Sequence, residues 1–152
     1  MLVDQVVTFL EMTSPDQLVA GRVPPDEIVL ASVGSAELEL IRSTHRRVAT
    51  PHHWSSLAWP EQYWRNLLAH SGTRTWIAYL GEEAIGLVQL RPRPGREVQI
   101  TKFGLVPECV GRGFGGHLLT LATRLAWGLG NVGRVWLLTT SLDHPHALRN
   151  YR

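Results

Sequence analysis

The densest chemical signal in the sequence is the run Val110-Gly111-Arg112-Gly113-Phe114-Gly115-Gly116. Glycine has no Cβ, so a chain rich in it can bring its backbone close to a ligand and turn several N–H groups toward one point. The residues after the run are patterned as an amphipathic helix, with Leu118, Leu121, Ala122, Leu125 and Leu129 on one stripe. The first turn of a helix presents unpaired N–H groups and the positive end of its dipole. A glycine loop leading into such a turn is suited to a diphosphate. Lys102, Arg112 and Arg124 add cations nearby in the chain.

More than one fold places glycines this way. Gly111, Gly113 and Gly116 satisfy the dinucleotide pattern G-x-G-x-x-G. That pattern needs a strand running straight into the first glycine and an acid about 20 residues on. Here Pro107, Glu108 and Cys109 intervene, and no acid stands between Gly116 and Asp143. A P-loop has less support still, because no lysine followed by Ser or Thr closes the run. Tight helix–strand packing with no ligand at all is the remaining alternative.

The elements that must position this loop follow from patterning. Val6 to Met12 is an apolar, β-branched stretch that reads as a strand, and Gly21 to Asp26, with Pro24 and Pro25, as a loop. A helix starts near Glu37 and runs toward Arg47. The stretch from Thr50 to Pro60, with Pro51, His52, His53, Trp54, Trp59 and Pro60, is irregular. A short helix covers Glu61 to His70, with Trp64 as core. Thr75 to Leu80 and Ala84 to Leu90 form a hairpin, and Pro92 to Gly95 turn the chain into a third strand from Glu97 to Val106. Its alternation slips by one between Ile100 and Phe103, which predicts a bulge near Thr101 and Lys102. The glycine-loop helix ends at Gly128, Arg134 to Thr140 is a buried-type strand, and Asp143, His144 and Pro145 open a last helix. The order is strand, helices, three antiparallel strands, helix, strand, helix.

Phe103-Gly104-Leu105-Val106-Pro107-Glu108, followed by Val110 to Leu119, resembles the central motif of the GNAT superfamily of N-acyltransferases. Val110 stands where that motif usually has Gln or Arg, at a position that serves through its backbone N–H as well as its side chain, and Gly113 and Gly115 stand at its two small positions. The stretch from Asp143 to Tyr151 is similar to the family's Asn-x-x-Ala-x-x-x-Tyr, with His144 at the Asn position. The resemblance covers residues 75 to 152 well, and residues 1 to 74 only in the order of elements. It implies an α/β (α+β) fold with a central mixed, mostly antiparallel sheet flanked by helices, in a single domain over residues 1 to 152. It implies acetyl-CoA as co-substrate and a primary amine as acceptor. It places acetyl-CoA against Phe103, Gly104, Leu105, Val106, Val110, Gly111, Arg112, Gly113, Phe114, Gly115 and Gly116. The pantetheine arm would enter where the third strand splays from the strand at Arg134 to Thr140. It would pair there with backbone groups near Phe103, Leu105 and Val106, one N–H polarising the thioester oxygen.

Acyl transfer to an amine needs a neutral amine and a proton for the departing thiolate. The resemblance makes Tyr151 the acid: a phenol with pKa near 10 suits an alkyl thiol of about 8.5. The base is open. The family's usual acidic positions hold Gln99 and Thr101, so Glu97 and His144 are the candidates, each set against a plainer role as a solvated strand-end charge or a capping neighbour. Trp54 and Trp59 fall in the region that lines the acceptor pocket in this superfamily, where aromatics suit an apolar or cationic amine. No metal is expected, since neither His52-His53 nor His144-x-His146 has a third ligand at suitable spacing. Cys109 reads as a structural thiol.

Composition bounds the rest. Of 152 residues, 44% are hydrophobic and 18% charged, a globular balance. The net charge of +2, without a block of like charges, gives no support for a nucleic-acid partner. No apolar run reaches the roughly 18 to 20 residues of a membrane span. A single cysteine and a start without a basic, apolar leader lead us to expect a cytoplasmic protein. The chain stops at Arg152, inside the last predicted helix, where the family continues with two more strands. The domain is therefore expected to be C-terminally incomplete, or completed by a second copy in a homodimer across an exposed strand edge. A non-catalytic acyl-CoA-binding module is the alternative to an enzyme.

Overall fold

Alternation of apolar and polar residues sets most of the strands, and three-to-four spacing sets the helices. A computed structural model describes residues 7–20, 23–52, 54–70, 72–110 and 112–140. In chain order its elements are β1 (Val7–Met12), β2 (Ile28–Val33), α1 (Leu38–Ala49), α2 (Glu61–Ala69), β3 (Arg74–Leu80), β4 (Glu83–Arg93), β5 (Glu97–Leu105), α3 (Phe114–Trp127) and β6 (Arg134–Thr140). The six strands form one sheet in the order β1-β6-β5-β4-β3-β2. Every neighbouring pair is antiparallel except β5 and β6, which run parallel across the α3 crossover. The mixed, mostly antiparallel sheet implied by the resemblance is the one observed.

Helix α1 turns Leu38, Ile41, Thr44, His45 and Val48 inward. The core joins these to Ile77, Ile85, Leu87, Val88 and Leu90 of the central strands and to Phe114, Leu118, Ala122 and Ala126 of α3. Trp64 of α2 is buried, as its helical position implies. The buried stripe of α3 is rotated from the expected one: Leu119 is buried, whereas Leu121, Leu125 and Leu129 border a groove with Ile28 and Leu30.

Three expectations are corrected. Strand β2 was not anticipated between the proline loop and α1, and it pairs with β3 along its whole length. Strand β4 continues to Arg93, so Pro92 lies within it and the turn falls at residues 94–96. The ladder to β3 ends at Leu90, so the missing N–H of Pro92 costs no bond there. Finally, β1 pairs with β6 from Val7–Thr140 to Met12–Val135. The edge of β6 is covered by the chain's own strand, and the free edge of the sheet passes to β1. The predicted last helix lies outside the described residues.

Candidate active site

The predicted bulge is present and sets the geometry of the site. Gln89 faces Lys102 and Leu90 faces Ile100, so Thr101 is the extra residue of β5. Its hydroxyl donates to the Gln89 carbonyl at 3.1 Å and to Gln89 Oε1 at 3.0 Å. The extra residue shifts the alternation, so that Lys102 shares a sheet face with Gln89, Arg91 and Gln99. On that face lies a cavity of about 400 Å³. Trp54, Ser56, Trp59 and Tyr63 wall one side of it, and Arg91, Arg93, Gln99 and Lys102 wall the other.

The cavity reaches Ile100 and Leu137, the last register pair of β5 and β6. Beyond that pair the two parallel strands part. The Val106 N–H donates to the Ile85 carbonyl at 2.7 Å and so faces β4. Antiparallel pairing alternates, which turns the backbone groups of Leu105 away from β4 and toward the widening gap, with those of Phe103 on the same side. The expectation for pantetheine pairing is thus corrected at Val106, whose N–H is committed to the ladder. Gly104 faces the other way: a Cβ there would collide with Val48 of α1, so this glycine admits the helix rather than a ligand.

Gly113 caps α3 at φ 84°, a left-handed conformation that disfavours a side chain, and a Cβ there would meet nothing within 4 Å. Phe114 follows with its ring buried, so its backbone alone is available to a ligand. The Arg112 guanidinium lies 5.2 Å from that ring. Arg47 of α1 donates to the Ala84 carbonyl at 3.2 Å and sits 3.6 Å from both Glu83 and Glu108, tying the turn before the loop to the hairpin. Val110 donates its N–H to the Pro107 carbonyl. Cys109 is buried, and burial pushes its thiol up, away from the nucleophilic form. Gly111 lies outside the described residues; Gly115 and Gly116 occupy the first turn of α3.

Lys102 was read from sequence as a cation for the diphosphate. The structure instead buries it in the cavity beside the tryptophans, 4.1 Å above the Trp59 ring and 5.3 Å from Trp64. Burial lowers its pKa to about 8. It is the only lysine among the chain's 15 Lys and Arg residues. Arg124 is in the last turn of α3, at the wrong end of the helix dipole for an anion. Behind the tryptophans, His45 and Ser56 share a buried hydrogen bond of 2.7 Å. Burial first, then the positive charges of Lys102, Arg46 and Arg42, lower His45 to about 3, so it is neutral at physiological pH. Sequence reasoning missed His45, Ser56, Arg91 and Arg93. The slip at Thr101 was the available signal, because it decides which β5 residues face the cavity.

Glu97 does not line the cavity. Arg134 Nη1 donates to it at 2.7 Å, and Arg134 Nε is bonded to Glu11, so one guanidinium joins β5, β6 and β1. Trp54 and Trp59 both line the cavity. Tyr151 and His144 lie outside the described residues. Among the described residues no group of three His, Cys, Asp or Glu is placed to hold a metal ion, and no helix is long and apolar enough to cross a membrane.

The fold, a parallel strand pair that parts beside a glycine-capped helix within an otherwise antiparallel sheet, is similar to that of solved acetyltransferases. Residues 38–152 match the model of the acetyltransferase (GNAT) family, and the chain belongs to that family of N-acetyltransferases, which draw on acetyl-CoA. Among similar solved structures is the aminoglycoside acetyltransferase meta-AAC0020 from an uncultured soil metagenomic sample, in complex with sisomicin. It has a TM-score of 0.66 and 14% identity over 80% of this chain and 83% of that one. Another is the ribosomal-protein-alanine N-acetyltransferase of Brucella melitensis biovar Abortus 2308, at TM-score 0.57 and 16% identity over 73% and 80%. The spermidine/spermine N-acetyltransferase SpeG of Vibrio cholerae has TM-score 0.56 and 18% identity over 72% and 68%. No curated protein matches the chain.

Proposed function

We propose that this chain transfers the acetyl group of acetyl-CoA directly to a primary amine held in the cavity between the tryptophans and the β4–β5 face. The observation that carries this reading is that the cavity opens onto the point where β5 and β6 part. An acceptor on one side of the sheet and a thioester in the gap can meet there.

The N–H groups of the loop after Val110 and of the first turn of α3, at the positive end of its dipole, bind the diphosphate, with Arg112 beside them. The open space around Gly113 and the orientation of Leu105 fit such a ligand. The Leu105 N–H faces the gap and polarises the thioester carbonyl. Lys102 in its neutral form takes the proton of the acceptor ammonium, a role that Glu97, held by Arg134, is poorly placed to fill. The neutral amine nitrogen forms the new amide bond, the carbon–sulfur bond breaks, and Tyr151 supplies a proton to the thiolate, its phenol being restored by the second proton that leaves the nitrogen. Mixing the protein with acetyl-CoA and a panel of amines should release free thiol in proportion to acetylated amine. Tyr151→Phe should reduce turnover at least tenfold while CoA binding persists. CoA binding without thiol release across the panel refutes the reading.

A further inference from the structure

We infer that the acceptor is an amine that also carries an anionic group, a carboxylate or a phosphate, held by Arg91 and Arg93. The inference rests on reading the cavity as the acceptor site. Its walls contain Arg91, Arg93 and Lys102, and among the described residues no carboxylate lines it. Arg93 donates to Gln99 Oε1 through Nε at 3.0 Å and Nη2 at 2.6 Å. Gln99 is the position where the family resemblance leads one to expect an acid. A neutral amide therefore orients the guanidinium, and among the described residues no carboxylate pairs with it, where a Glu at position 99 would have cancelled its charge. The nearest acid in the β4–β5 register is Glu97, and it is already bound by Arg134.

The aromatic wall suggests a cationic ligand only as long as its faces are free. Lys102 already lies over Trp59, so a ligand cation would meet a like charge in the place where a cation–π contact would otherwise hold it. Two arginines on alternate positions of one strand offer planar forks suited to an oxyanion. The same cations disfavour the ammonium form of the acceptor and so help to populate the neutral nucleophile.

The test is binding of size-matched amines to the full chain in the presence of CoA, measured by titration calorimetry: γ-aminobutyrate, phosphoethanolamine, butylamine and putrescine. One of the two anionic amines should bind at least tenfold tighter than putrescine, and which one leads identifies carboxylate or phosphate. Arg91→Gln and Arg93→Gln should each weaken that binding at least tenfold and leave butylamine within a factor of three, and Arg91→Lys and Arg93→Lys should each retain part of the binding that the corresponding Gln variant loses. Circular dichroism of each variant confirms folding. Putrescine binding as tightly as the anionic amines, no measurable binding of either anionic amine, or anionic binding indifferent to both substitutions overturns the inference. Thiol release is read separately. Selective binding without release would overturn the transfer reading and keep the charge selectivity, whereas turnover that favours putrescine would do the reverse.

Discussion

A lysine buried against two indoles is a different reagent from the arginines around it. Arginine stays protonated at any pH a protein meets, whereas an ammonium gives up its proton once desolvation makes the charge expensive. Lys102 is in that position, with a pKa lowered to about 8 by burial. Arg91, Arg93 and Tyr63 share its cavity, and His45 behind the tryptophans is already neutral at that pH. If Lys102 takes the acceptor proton, kcat/KM should climb about tenfold per pH unit below 8 and level off above it. Lys102→Arg keeps the charge and the cation–π contact but cannot act as a base, so it should lose that limb and most of the rate. A pH profile unchanged in Lys102→Arg assigns the proton elsewhere. His45 makes a separate prediction about stability. Its folded pKa of about 3 lies below the ordinary 6.5, so the unfolded chain binds the extra proton first. The stability it contributes is present in full above pH 6.5 and is lost as the pH falls toward 3, at up to about 1.4 kcal/mol per pH unit. Denaturant titrations from pH 7 to 4 should show this slope, and His45→Gln should flatten it. At neutral pH, Ser56→Ala should cost about 1–3 kcal/mol by leaving the buried imidazole nitrogen without its partner.

Between elements, two glycines do opposite things, and the sequence told them apart only in part. Both fall within the motif that points to a diphosphate. Gly113 needs its left-handed φ to start α3, whereas Gly104 needs its bare Cα to admit Val48 of α1. The first requirement was legible because a glycine run between a strand and an amphipathic helix has few uses. The second was not, because α1 lies far off in sequence and its approach is a tertiary fact. The same division holds for the strands. The slip between Ile100 and Phe103 gave the bulge, since a period of two cannot absorb an extra residue without moving every later side chain. Strand β2 was missed because Ile28–Val33 alternates weakly: Leu30, Ala31 and Val33 are only half-buried, and Val29 is exposed. Gly104→Ala should therefore lower stability by about 1–3 kcal/mol through overpacking against Val48, and Val48→Ala in the same chain should recover part of the loss. Thermal melts of the two single variants and the double variant measure the coupling. Strict additivity would mean that the two residues do not share the contact.

Across the whole molecule, the sheet is extended at one end by a pairing that local patterning could not reveal. Val7–Met12 reads as a strand from its own residues, yet its neighbour is β6, and Glu11 and Arg134 are separated by 123 positions. A sequence reading that adds strands in order leaves the far edge of β6 bare and then looks to a second copy to fill it; the fold fills it from the chain's own beginning. Arg134 is the charged link in this arrangement. It is bonded to Glu11 on β1 and to Glu97 on β5, and the hydrogen bond it donates to Glu11 is the first cause that holds its pKa above the ordinary value. Around it, Leu10 and Met12 border a space shared with Leu119 and Thr123 of α3, so β1 also covers the side of the sheet where that helix lies. If Arg134 anchors the strand, Arg134→Met should leave the fold intact but loosen β1. Amide exchange over residues 7–12 should quicken several-fold, while the β4–β5 ladder exchanges at its original rate. The substitution also frees Glu97. Thiol release that persists in Arg134→Met with its pH profile unaltered agrees with a proton path through Lys102, whereas a new rising limb in the carboxylate range would show that Glu97, once released, serves as a base.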